Sequence, residues 1–226
     1  MEYAVKLNTV TSPDSNVRAF ASVTFGDSFK ITNIAVVEGK EKQLFVSMPS
    51  FKSKERDGHN QVIYKDICNP ITKDFRDKLY GDILGLYAQM KQSGKPEIHK
   101  EAGVKKEPGF TVRVTPFERS GSSILGLACI YFEDSFVVGN VSILKGREKE
   151  FVAMPSYRTN QTGKDENPLY QDVCFPVTKE FREKLYDSIL AAYRQEKRIS
   201  ACKDKTQAAV QTKTENRGTD RCAAPH

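Results

Sequence analysis

Two stretches of this chain are copies of each other. Residues 48–90, MPSFKSKERDGHNQVIYKDICNPITKDFRDKLYGDILGLYAQM, return 106 positions later, without a gap, as MPSYRTNQTGKDENPLYQDVCFPVTKEFREKLYDSILAAYRQE. Met48/Met154, Tyr64/Tyr170, Asp66/Asp172, Cys68/Cys174, Pro70/Pro176, Phe75/Phe181 and Arg76/Arg182 all coincide. Solenoid units repeat every ~20–50 residues, so a period this long marks a duplicated domain. The chain divides into a first module at 1–90, a linker at 91–109, a second module at 110–196 and a basic tail at 197–226.

Upstream the copies stay aligned, with the offset at 107. YAVKLN from Tyr3 and FTVRVT from Phe110 alternate apolar and polar residues, as a half-buried strand does. A second strand follows, with Ala21, Val23 and Phe25 on one face and Ala128, Ile130 and Phe132 in the other copy. Short polar turns at Gly26-Asp27-Ser28 and Glu133-Asp134-Ser135 lead into a third strand, so each pair reads as a β-hairpin. The apolar phase slips after Ile31, at Asn33 and Asn140, and predicts a β-bulge. A fourth strand, LFVSM or FVAM, precedes a hydrophilic loop, and a short apolar segment then stops at proline.

After that proline each copy predicts a helix. Thr72 and Thr178 suit the N-cap, with Asp74 and Glu180 in the first turn where the helix dipole favours carboxylates. Phe75, Leu79, Ile83, Leu86 and Met90 recur at helical spacing and should face the sheet. Tyr80, Leu84 and Tyr87, with Tyr186, Leu190 and Tyr193, widen the apolar arc. Either this flank packs against the other module or its tyrosines are partly exposed. Arg76 and Arg182 border the apolar face and are expected to pair with a carboxylate. The fold class is therefore α+β: two tandem modules, each an antiparallel sheet of four to five strands with a C-terminal helix, packed as a pseudo-dimer. The linker lacks periodicity, and low hydrophobicity from Lys197 onward predicts disorder.

Charge and chemistry exclude several classes of function. Residues 1–90 hold 12 Lys and Arg against 11 Asp and Glu, and residues 110–193 hold 10 against 11. The net charge of +6 thus resides in the linker and tail, and neither module is a basic body. Five cysteines without a C-x-x-C pair give neither a disulfide framework nor a zinc site; Cys68 and Cys174 read as buried thiols. The three histidines lie in a loop, the linker and the C-terminus, so no catalytic or metal-binding constellation is legible. No glycine pattern for a nucleotide is present, so no cofactor is expected. No run reaches the ~18 apolar residues of a membrane span, and no membrane insertion is expected.

Ala21, Phe25 and Asp27, then LFVSMPS, a polar loop, Y-x-D-I-x-x-P-I and a helix with Arg near its start resemble the SpoVG family of septation regulators. The resemblance covers residues 3–90 and 110–193. It implies a small antiparallel sheet followed by a helix, dimeric association, and binding of DNA or RNA in the cytoplasm. It also implies a link to septation, sporulation and control of gene expression, with septation or regulatory proteins as further partners. Family members usually carry two basic residues after M-P-S. Here the first is aromatic, Phe51 or Tyr157, and the second basic, Lys52 or Arg158. The expected nucleic-acid contacts are Lys52, Lys54, Arg56 and Lys65 around the first loop, and Arg158 and Lys164 at the second. The alternative is a protein-interaction adaptor in septation or division control that touches no nucleic acid.

Overall fold

The computed structural model describes residues 1–10, 15–103, 106–117, 121–162 and 167–215, with side chains to residue 200 except those of 160–162. In chain order the first half gives β1 (Tyr3–Thr9), β2 (Val17–Phe25), β3 (Phe29–Glu38), β4 (Leu44–Ser47), β5 (Ser50–Arg56), β6 (Val62–Asp66), β7 (Cys68–Pro70) and α1 (Lys73–Ser93). The connector contributes β8 (Glu97–Lys100). The second half gives β9 (Phe110–Pro116), β10 (Ile124–Phe132), β11 (Phe136–Lys145), β12 (Glu150–Ala153), β13 (Ser156–Thr162), β14 (Pro168–Asp172), β15 (Cys174–Pro176) and α2 (Lys179–Glu215). All the strand pairings are antiparallel, as the α+β reading requires.

Each half builds a meander, but neither half completes its own sheet. β3 pairs along one edge with β2, and its other edge is divided. Ala35–Glu38 pair with β4, whereas Phe29–Ile31 pair with β15 of the other half. The reciprocal exchange puts β7 against Phe136–Val138 of β11. The break between the two partners is the expected bulge. The register skips opposite Ala21/Val23 and Ala128/Ile130, and Asn33 and Asn140 sit at φ of 61° and 56°. Asparagine tolerates this left-handed backbone better than a branched residue would. Beside each bulge an amide turns outward to the incoming strand: Thr32 donates to the Val173 carbonyl at 2.8 Å and Gly139 to that of Ile67 at 2.7 Å.

The phenylalanines at the turn ends seal the two halves together. Phe25 lies 5.7 Å from Phe132 and 5.1 Å from Phe136 between ring centroids, and Phe29 lies 4.8 Å from Phe132. Phe75 and Phe181 flank this group from the two helices. Phe25, Phe29, Phe132 and Phe136 are completely buried, and a single hydrophobic cluster runs through both modules. Burying one such ring stabilises the fold by roughly 1.5–3 kcal/mol. The pseudo-dimer is therefore one folding body with a shared core.

The helices follow the sequence reading closely at their starts. Thr72 Oγ1 accepts from the Phe75 amide at 3.4 Å, and Thr178 Oγ1 from that of Phe181 at 3.2 Å. The buried positions of α1 are Phe75, Leu79, Ile83, Leu86 and Met90. Arg76 and Arg182, expected to meet a carboxylate, instead donate to the carbonyls of Pro70 and Pro176 at 3.2 and 3.3 Å. Those carbonyls end the exchanged strands, so each arginine fastens its helix to the crossing segment. Cys68 and Cys174 are fully buried there, and burial pushes both thiols well above their usual range.

Two segments expected to lack structure have it. The connector holds β8, which adds to the edge of β1 with Ile98 opposite Leu7. α2 runs on to Glu215, past Lys197, where disorder was expected. Residues 197–215 contain no proline or glycine and many lysine, alanine and glutamine residues, which favour helix despite their polarity. Residues 216–226 of the expected tail lie outside the described residues.

Candidate nucleic-acid interface

The stretch after Met48-Pro49, expected as a loop, is a two-stranded antiparallel ribbon made of β5 and β6. β13 and β14 form its counterpart. A segment polar on both faces shows no hydrophobic alternation, which is why pattern reading gives a loop. The first ribbon closes through a tight turn. Asp57 Oδ1 accepts from the amides of His59 and Gln61 at 2.9 and 2.7 Å, and Asn60 takes φ of 60°. The short carboxylate does the turn's hydrogen bonding, so the tip needs no burial to hold its shape.

Each ribbon sets a cation directly across from a tyrosine. Lys52 is opposite Tyr64, and Arg158 is opposite Tyr170. Directly opposed residues share a face and lie about 4.5–5.5 Å apart at Cβ. The two tyrosines are 66% and 64% exposed, an unusual state for large aromatic side chains. Lys52, Lys54 and Arg56 are exposed as well, and none is in an ion pair among the described residues. Lys65 differs from them: its ammonium is held by Glu55 at 2.6 Å. Arg158 is exposed on the second ribbon, whereas Lys164 lies outside the described residues.

The aromatic residues after M-P-S are less exposed than Tyr64 and Tyr170. Phe51 is half-buried and lines a cleft of about 310 Å³ with Ile67, Asn140, Met154, Pro155 and Ser156. Ser156 begins β13, so the roots of both ribbons meet at that cleft. Tyr157 is 37% exposed, and its hydroxyl donates to Gln171 Oε1 at 2.8 Å. The free rings are Tyr64 and Tyr170, which the sequence reading passed over. One signal pointed to them: both copies keep a tyrosine just beyond their most divergent stretch.

At the ribbon roots Asp66 and Asp172 are opposite Ser50 and Ser156. Burial raises both carboxyls, and Arg182 partly offsets the rise at Asp172. Burial raises the phenols of Tyr80 and Tyr186, two of the helix-flank residues, and Arg76 and Arg182 partly offset the rise. Leu84, Tyr87 and Leu190 pack half-buried on the common core, and Tyr193 is buried against Gly126 of its own sheet.

The comparisons with known proteins match the two halves of the chain separately. The SpoVG family model matches residues 1–89 and again 109–195. A relative from Treponema denticola named as a septation protein SpoVG is 36% identical over 76 residues, covering 34% of this chain and 74% of the relative. Another from Clostridium botulinum is 35% identical over 85 residues, covering 38% of this chain and 85% of its own length. A third, from a Thermoanaerobacter species, is 38% identical over 88 residues, or 39% of this chain and 86% of the relative. Each relative matches about one module, and both halves of this chain match the family: the protein belongs to the SpoVG family and carries its module twice.

Proposed function

We propose that this protein is a non-catalytic DNA- or RNA-binding regulator that acts in the cytoplasm on gene expression tied to septation or sporulation, gripping nucleic acid with its two β-ribbons. The observation that carries this reading is the repeated cross-strand pairing of a cation with an exposed tyrosine, Lys52 with Tyr64 and Arg158 with Tyr170. A base stacked on an aromatic ring gains roughly 1–3 kcal/mol, and the neighbouring cation neutralises the phosphate beside it. A two-stranded ribbon also fits the ~12 Å major groove of duplex DNA. A protruding tyrosine is best satisfied by an unstacked base, so single strands should bind more tightly than duplex. The septation link rests on the names of the relatives. Among the described residues no helix is long and apolar enough to cross a membrane.

The test is an electrophoretic mobility shift with the full chain on single-stranded and duplex oligonucleotides at two salt concentrations. Binding should weaken as salt rises, and a combined Lys52→Ala, Lys54→Ala and Arg56→Ala variant should flatten that dependence by about three phosphate contacts. Absence of any shift at low salt would discard the reading in favour of a protein-interaction adaptor.

A further inference from the structure

We propose that the outer edge of β9 is a docking site for an extended segment of a partner protein, one presenting a carboxylate followed by a β-branched apolar residue. This surface is separate from the ribbons and goes beyond the nucleic-acid reading. Among the described residues β9 ends its sheet, in the order β12-β11-β10-β9. Its counterpart β1 is not terminal, because β8 covers it. The effect on packing is measurable: Val5 and Leu7 are 1% and 0% exposed, while Val112 and Val114 at the matching positions are only half-buried. An edge with unpaired backbone groups and half-covered valines is a template for strand addition.

The reason this edge is left open lies at the helix ends. α1 stops at Gly94, which takes the left-handed conformation at φ of 65°, and Pro96 then directs the chain back along β1. The matching positions in the second copy are Ser200, Ala201 and Cys202, so α2 continues to Glu215 and, among the described residues, no strand of this chain returns along β9.

β8 is a template for the missing occupant. Glu97 pairs with Lys6 at 2.8 Å, and Ile98 is opposite Leu7. Arg113 replaces Lys6 in the second copy; it is exposed, with its guanidinium 5.1 Å from the centre of the Tyr131 ring. The occupant should therefore offer an acid to Arg113 and an apolar side chain to Val114. Lys100 of β8 is anchored by Asp82 at 2.8 Å, but Ser188 stands in that place in α2, so no cation is needed there. A second copy of this chain fits less well. Antiparallel pairing of β9 along its whole length would centre on Arg113 and oppose two guanidiniums.

The experiment uses a dye-labelled peptide with the sequence of residues 95–102 carrying Lys100→Ser, titrated with the full chain and followed by fluorescence anisotropy. Saturable binding is expected. Arg113→Glu should weaken it roughly five- to tenfold, as should a Glu97→Lys peptide on the unaltered chain, and combining the two changes should restore it. Nucleic-acid binding should not follow this pattern, which keeps the two readings distinguishable. No saturation up to about millimolar chain, or indifference to both charge reversals, would overturn the proposal. So would light scattering that shows a dimer whose β9 amides are protected from exchange.

Discussion

Among the described residues the two modules differ most where the connector passes the first and no segment passes the second in the same way. Gly26 and Glu133 occupy the same turn position with almost the same backbone, at φ of 50° and 45°. The second copy shows that a side chain is tolerated in that conformation. Gly26 is required for another reason: a Cβ there would lie 1.8 Å from the carbonyl oxygen of Lys106, where the connector crosses the turn. Identical local geometry thus carries different sequence constraints, set by what lies on top of it. Two copies in one chain cannot both remain as they were, because only one of them is followed by the other.

The shared core gives the largest test of how far the copies are equivalent. Phe25→Ala and Phe132→Ala should each cost about 3–5 kcal/mol, since each removes a ring from the seam between the halves. Urea unfolding followed by circular dichroism and by tyrosine fluorescence should show one coincident transition for both variants. Two separate transitions would mean that the halves fold alone. The turn comparison comes next in size: Gly26→Ala should cost about 2–3 kcal/mol, and Glu133→Ala no more than about 1 kcal/mol, the worth of its ion pair with the N-terminal ammonium of Met1, in the same assay.

Much of this architecture is legible in the sequence because most of its strands and helices have a buried face. The alternation in β1 and β2, the phase slip at Asn33 and the five core positions of α1 all follow from period and burial. The strand exchange is not legible. β7 and β15 are three residues long and apolar at both ends, and nothing in Cys68–Pro70 says which sheet will receive them. The ribbons and β8 escape for the opposite reason: they have almost no buried face, so no period marks them. For the candidate site, Lys52, Lys54, Arg56, Lys65, Arg158 and Lys164 are expected contacts from the resemblance; Lys65 is held by Glu55 and Lys164 lies outside the described residues. The retained pair Tyr64 and Tyr170 is visible in the sequence, but its place across from basic residues emerges only with the register.

The ribbons offer a smaller test of equivalence. Tyr64→Ala and Tyr170→Ala should each weaken single-strand binding by about 1–3 kcal/mol in fluorescence titrations, without changing the unfolding midpoint. Equal losses would show two working grips, and a loss confined to Tyr64→Ala would show that only the first ribbon binds. The smallest expected effect concerns Asp82. Burial alone would raise its carboxyl, but hydrogen bonds from Lys100 and Tyr3 outweigh that and hold it below the usual range. A lowered folded-state value stabilises above the unfolded value and is lost as pH falls through the folded one. Asp82→Asn should therefore cost about 0.5–1 kcal/mol near neutral pH, and the difference should close in strong acid. Urea midpoints measured at both ends of that range check it, and Ser188→Ala should show no such pH dependence.

The crossing of β7 and β15 between sheets has a further consequence. Separate subunits come apart on dilution, whereas halves joined by a short tether stay at an effective concentration of about millimolar at any protein level. The assembly would thus persist at a few copies per cell. Freed from the need to match an identical mate, each half can drift alone, and on the nucleic-acid reading proposed above a target without mirror-like halves comes within reach.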